Sequence, residues 1–194
     1  SEIKFNKGID RSLIALLFSK LRNIELLIFS QNKPNKFNLY FFYINILIFL
    51  LKLKQFKVIF KYGVVGKKLD SERKKSNIFL FGSRLECSPL VLFESAAAGL
   101  PFITFEVGNA KEIVKKTGAG FVVKNILDMS KKIDILHNNS KLNSKLSISG
   151  QSNAKKFIWS KIALKYIKIF KSIWTYFFLV TSVIMVKKVG DILL

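Results

Sequence analysis

Glu86 and Glu94 mark the stretch of this chain where chemistry could be done. They stand eight positions apart, with Ser88-Pro89 between them. Serine before proline is a helix-start signature: the hydroxyl can cap free N–H groups, and proline is pre-organised for the first helical position. Glu86 then belongs to a polar loop, Arg84-Leu85-Glu86-Cys87, and Glu94 to the helix beyond it. A helix N-terminus between two acids favours a phosphate, through unpaired N–H groups and the dipole. A diphosphate bound there leaves one carboxylate for hydroxyls on each side, which matches hexose, diphosphate and ribose. Two glutamates at this spacing, taken alone, read equally well as two solvated side chains.

The surrounding elements must position that pair. An apolar run at 78–81 ends at Gly82-Ser83 and predicts a strand feeding the loop. The helix reads PLVLFESAAAG, stopping at Gly99 with Pro101 just beyond. A second apolar run, 102–105, a Gly108-Asn109 turn, a helix over 110–116 and a third run, 120–123, follow. Strands alternating with helices predict a parallel sheet with its ligand outside the carboxyl ends of the strands. Upstream, Leu13, Leu16, Leu17 and Leu21 predict a helix over 10–21, and 23–30 a strand ending in the polar loop 31–34. The thirteen residues 39–51 are apolar all round but short of the ~20 a membrane span needs, so a core helix is expected. A strand at 56–60, the turn Tyr62-Gly63-Val64-Val65-Gly66 and a charged helix over 67–75 lead into the central block. Downstream, 126–136 reads as helix, His137 as loop, and the Ser/Asn-rich 140–152 as a loop with part of a helix. Phe157, Ile158, Ile162, Tyr166, Ile169, Phe170 and Ile173 form a helical stripe over 154–174, which taken alone reads as an amphipathic helix packed as core.

The central block resembles the donor-binding domain of retaining glycosyltransferases of family 4, which have the GT-B fold. The residues that carry the likeness run from Ser83 through Glu86 to Glu94, then Ala97-Ala98-Gly99-Leu100-Pro101, then Val107-Gly108-Asn109 with Glu112-Ile113. Cys87 departs from the Gly or Ser common after the first glutamate. The resemblance implies a Rossmann-like three-layer α/β/α domain with a parallel sheet, the C-terminal half of a GT-B fold. It implies that Glu86 contacts the donor sugar, Glu94 the ribose, and the amides around Ser88, Pro89, Leu90 and Val91 the sugar or diphosphate. Tyr62, Gly63 and Val64 resemble the loop beside the nucleobase. Lys7, before Gly8, matches the lysine of a basic pair that neutralises the diphosphate; Ser1 to Phe5 offers no arginine for the other member. Without the resemblance Lys7 is one more solvated lysine. Phe157-Ile158-Trp159-Ser160-Lys161-Ile162-Ala163 with Tyr166 resembles the closing helix of the family. The likeness covers about 6–174, so a nucleotide-sugar domain over 1–174 and an apolar extension over 175–194 are expected.

The implied activity is glycosyl transfer, with retention, from a nucleotide-diphosphate sugar to a hydroxyl acceptor. A UDP-sugar is the expected donor and a GDP-sugar the alternative, with no metal or other cofactor; no Asp-x-Asp signature occurs. The acceptor, a glycan or lipid-linked glycan, is expected on an N-terminal domain outside this chain, so the isolated chain should bind donor but turn over little. A nucleotide-sugar epimerase of the same fold, or a non-catalytic basic module, are the competing classes. At 194 residues there is room for one domain with a real core. The net charge of +21 suits nucleic acid or an anionic membrane surface, but richness in Lys, Asn, Ile and Phe together also follows from AT-rich codons. No aromatic-basic nucleic-acid motif stands out. One cysteine allows no internal disulfide, pointing to a reducing, cytoplasmic setting; the lysine-bordered apolar runs 39–51 and 173–186, with the lipid-linked acceptors the resemblance implies, suit peripheral attachment at the inner membrane face. The apolar run 173–186, bordered by lysines, is fourteen residues long: an interfacial segment, a packed helix and translated sequence past the natural end all stay open.

Overall fold

The computed structural model describes residues 3–34 and 38–190, with side chains through Phe177. It begins with a turn of 3-10 helix, Phe5–Lys7, which Gly8 redirects into α1, Ile9–Phe18. β1 (Glu25–Ser30), α2 (Leu39–Leu53) and β2 (Lys57–Tyr62) form a first β-α-β unit. Asn38 starts α2 by accepting a hydrogen bond from Phe41 N at 3.1 Å. The strands pair in parallel from Glu25↔Lys57 to Ser30↔Tyr62. α3 (Gly66–Lys75) leads to the second series: β3 (Phe79–Phe81), α4 (Leu90–Ala97), β4 (Phe102–Phe105), α5 (Ala110–Thr117) and β5 (Gly120–Val123). These strands are parallel in the order β3-β4-β5, and all four residues of the central β4 are buried. Among the described residues the strands thus form two parallel ladders, of two and three strands.

Two helical layers cover the strands. α1 packs against α2 and against α6 (Ile126–Asn138), which also contacts β4 and β5. On the other layer α4 and α5 pack against α7, Ser140–Ala154. α7 is one continuous helix where composition predicted mostly loop. Its reason is a stripe at i+4 spacing: Leu142 and Leu146 pack against the core, and Gly150 and Ala154 are buried. The small polar residues are what let it approach: a Cβ on Gly150 would stand 3.0 Å from Ala96 O and 2.9 Å from Ala119 Cβ. Ser149 Oγ and Asn153 Nδ2 then each donate to Thr117 O at 3.2 Å. His137 lies in the last turn of α6, exposed, and not in a loop.

Contacts divide the chain into two units, 1–155 and 156–194. The second holds α8, Trp159–Gly190, after a 3-10 turn at Lys155–Phe157. The predicted stripe does form one helix, but it is not core: Tyr166, Ile169, Phe170, Ile173 and Trp174 are exposed. The side chains of the apolar run beyond residue 177, and residues 191–194 altogether, lie outside those described. Among the described residues no helix is long and apolar enough to cross a membrane.

Gly8 and Gly82 approach each other closely, backbone on backbone. A Cβ on either would fall on the carbonyl oxygen of the other, and Gly8 has φ +59°. Gly66, with φ +57°, has open space instead. Gly8→Ala therefore combines backbone strain with a clash and should cost about 3 kcal/mol. Gly66→Ala carries strain alone and should cost about 1 kcal/mol. Urea unfolding of both variants measures the difference; equal losses would show that the approach is not what matters.

Candidate functional site

The loops at the carboxyl ends of the strands gather the candidate residues. Behind β3, Ser83 is fully buried and its Oγ lies 2.9 Å from Glu86 Oε1. Lys7 Nζ donates to the same Oε1 at 2.9 Å. The Glu86 side chain is 19% exposed, so its charge is held by a cation and a hydroxyl in a largely enclosed place. The 3-10 turn is stitched to this loop: Arg84 N donates to Asn6 O at 2.8 Å, and Ser83 Oγ lies 3.1 Å from the same oxygen. On the far side, Asn109 N donates to Cys87 O at 3.2 Å, and a Cβ on Gly108 would run into that carbonyl. Asn109 Oδ1 is buried with no hydrogen-bond partner, an acceptor beside the Glu86–Cys87 loop that sequence reasoning passed over as part of a turn.

α4 begins at Leu90 with buried Pro89 as its N-cap, and no side chain caps it. Ser88 is exposed and does not take the capping role its sequence position suggested. Leu90 is exposed and Val91 half-buried on the first turn. Glu94 lies one turn further, 54% exposed, with Oε2 paired to Arg73 Nη2 of α3. Arg73 is also held by Asp70, Nη1 to Oδ1 at 2.8 Å. The two glutamates are thus kept in separate settings, Glu86 with Lys7 and Ser83, Glu94 with Arg73. The Tyr62-Gly63-Val64 turn ends β2, with Gly63 N donating to Ser30 O at 3.0 Å and the Tyr62 ring stacked 5.9 Å from Phe60. α3 runs from this turn to Arg73 and so to Glu94. Glu112 pairs with Lys116 along α5 at 2.6 Å. Among the described residues no group of three or more His, Cys, Asp or Glu side chains comes together.

A buried ion pair that the sequence did not reveal supports this arrangement. Arg84 engages Asp10 through both ends, Nη1 to Oδ1 at 2.8 Å and Nη2 to Oδ2 at 2.6 Å. Tyr40 Oη donates to Asp10 Oδ1 at 2.7 Å, and Arg84 Nη1 also donates to Phe5 O at 2.8 Å. Burial alone would raise the Asp10 pKa, but the hydrogen bonds from Arg84 and Tyr40 and the Arg84 charge outweigh it and hold it below the ordinary value. Burial, then the bond to Asp10, pushes the Tyr40 phenol up. Arg11, one position on, places its guanidinium carbon 3.2 Å from the centre of the Phe105 ring and reaches Ser83 O at 3.3 Å. Burial, then the neighbouring Arg84 charge, lowers its pKa. Arg11, Arg84 and Lys124 share with Phe105, Glu106, Val107 and Val123 an open cavity of about 410 Å³ at the ends of β4 and β5. The only signals for this group were an acid at a helix start and an arginine beside a Gly-Ser turn, neither of which names a partner.

The parallel strands alternating with helices match the Rossmann-like fold of glycosyltransferases of the GT-B type. The chain belongs to the glycosyl transferases group 1 family, whose sequence profile matches residues 7–153. Among solved structures, sucrose-phosphate synthase from Thermosynechococcus elongatus is 19% identical, with a TM-score of 0.76 over 91% of this chain and 44% of that one. A glycosyltransferase from Rickettsia africae is 21% identical, TM-score 0.76, over 90% and 46%. HepE of Anabaena, in complex with UDP and glucose, is 16% identical, TM-score 0.77, over 89% and 47%. The chain spans less than half the length of these structures. Among curated protein sequences none matches.

The Asp10–Arg84 pair should dominate local stability. Asp10→Ala leaves a half-buried guanidinium without its carboxylate and should cost about 2 kcal/mol. Because the Asp10 pKa is lower folded than unfolded, its contribution is complete above about pH 4. It is lost as pH falls through the lower, folded value. Urea melts of wild type and Asp10→Ala from neutral pH downward should therefore converge in acid. A difference that stays constant into acid would refute the assignment.

Proposed function

We propose that this chain is the donor-binding half of a retaining, family 4-type glycosyltransferase that moves a hexose from a nucleotide-diphosphate sugar to a hydroxyl acceptor. A UDP-sugar is the favoured donor, in line with the UDP and glucose bound to HepE, and a GDP-sugar the alternative. The observation that carries the reading is the grouping of Lys7, Ser83 and Glu86 just before the uncapped N-terminus of α4. In this reading the diphosphate meets the backbone N–H groups of Ser88, Leu90 and Val91 at the start of α4, while Pro89, which has no N–H to donate, sets the turn between them. Lys7 turns from Glu86 to the phosphate and stabilises the charge that develops as the diphosphate leaves, where such sites gain most. Glu86 then accepts hydroxyls of the hexose, and Asn109 Oδ1 is a second acceptor beside it. Glu94 accepts the ribose hydroxyls while Arg73 fixes its carboxylate; an ionised carboxylate has acceptor capacity for both. Tyr62, Gly63 and Val64 border the base. The acceptor is a glycan or lipid-linked glycan of polysaccharide biosynthesis, met at the inner face of the membrane.

Calorimetric titration with UDP and the matching UDP-sugar tests the two glutamates. Glu94→Gln should weaken both ligands alike, by roughly 1.5–3 kcal/mol, about ten- to a hundredfold. Glu86→Gln should spare UDP and weaken only the sugar-bearing donor. Equal losses of plain UDP in both variants would refute the assigned roles.

A further inference from the structure

α2 buries one face and leaves an equally apolar face in water. Ile44, Leu47, Ile48 and Leu51 form the buried stripe. On the opposite side Leu39, Phe42, Ile46, Phe49, Leu50 and Leu53 are exposed, Leu39 at 85%, Leu53 at 66% and Phe42 at 64%. These positions repeat at three- and four-residue steps, so they share one face over the whole helix. A continuous stripe of this kind marks a docking surface, unlike scattered single apolar side chains. The helix is held firmly, since Tyr40 in its first turn is bonded to Asp10 and its buried stripe is part of the core.

The charge around the stripe identifies its occupant. From residue 26 to residue 69 the chain has eight lysines and no aspartate or glutamate. Lys52 is exposed in the last turn of α2 itself; Lys57, exposed at the start of β2, pairs with Glu25 at 2.8 Å, so Lys52 is the cation that borders the stripe most directly. A second copy of this chain would bring another net charge of +21 to the same place, with no acid in the segment to meet it. Nucleic acid would satisfy the lysines and leave the leucines and phenylalanines in water. An anionic bilayer satisfies both: apolar side chains enter the boundary between headgroups and acyl chains, and lysines face the anionic headgroups. Fifteen residues make a helix of about 22 Å, suited to lying in the membrane plane. We propose that the exposed face of α2 docks on a bilayer containing anionic phospholipid. This rests on the reading of the chain as a membrane-attached transferase and assigns the attachment to one helix face, remote in sequence from the donor-loop residues.

Co-sedimentation of the full 194-residue chain with vesicles tests it. Phosphatidylcholine vesicles with roughly one-third phosphatidylglycerol should bind the wild type, and pure phosphatidylcholine much less. Phe42→Gln/Ile46→Gln/Phe49→Gln should reduce partitioning at least about tenfold, all three side chains being already exposed. Retained binding in this variant overturns the proposal, as does loss of binding only in an α8 variant, Tyr166→Gln/Phe170→Gln/Trp174→Gln. A wild type that ignores vesicles but sediments as a dimer, with the α2 variant monomeric, also overturns it and makes a second copy the occupant. Should the α2 variant fail to fold, a nitroxide on Ile46→Cys in a Cys87→Ser background gives an independent reading. Added anionic vesicles should raise its accessibility to oxygen and lower that to a water-soluble nickel chelate; no change overturns the proposal. A UDP thermal shift on the same wild-type sample separates the two readings. Vesicle binding lost with the UDP shift intact refutes the attachment alone, and the converse refutes the donor assignment alone.

Discussion

The contact between the Gly8 and Gly82 backbones is the constraint on which the candidate site depends. Lys7 and Glu86 are 79 positions apart in the chain, and nothing local brings them together. They meet because two glycines let the turn before α1 lie directly on the end of β3, closer than any side chain would permit. Asn6 O then accepts from Arg84 N, with Ser83 Oγ 3.1 Å away, which fixes the register of one loop on the other. The ion pair at Glu86 is a result of this main-chain fit. A pair only partly enclosed contributes little to stability by itself, so its placement matters more than its strength.

The Asp10–Arg84–Tyr40 group plays a complementary part. Burying a carboxylate is costly unless its oxygens are hydrogen-bonded, and here both are. Three segments with no sequence relation, α1, α2 and the loop after β3, are obliged to meet at one geometry. A bidentate guanidinium tolerates less angular error than an ammonium, so the network sets orientation as well as distance. Arg11 adds to it from the next position, its guanidinium carbon over the Phe105 ring.

Much of the fold was legible in the sequence because apolar runs and punctuation carry it. The strands at Phe79–Phe81, Phe102–Phe105 and Gly120–Val123, and the helices between them, fall where Gly, Pro and the apolar periodicity place them. α7 was not legible, because serine and asparagine ordinarily favour turns and their value here, smallness against α4 and α5, exists only once those helices are in place. Its Leu142, Leu146, Gly150, Ala154 stripe was hidden by a glycine standing in for an apolar residue. The exposure of the α8 stripe was equally invisible, since periodicity identifies a face and not what covers it. At the site, the order of the residues around Glu86 and Glu94 was readable. Lys7 was singled out by the resemblance, but its pairing with Glu86, and that of Arg73 with Glu94, was not, because ion pairs across distant segments leave no mark in local sequence.

Tyr40 sits in the first turn of α2 and shares Asp10 with Arg84, two residues before Glu86. That short chain of bonds ties the first turn of α2 to the loop that carries Glu86, so a shift of this turn would pull on Arg84 through Asp10.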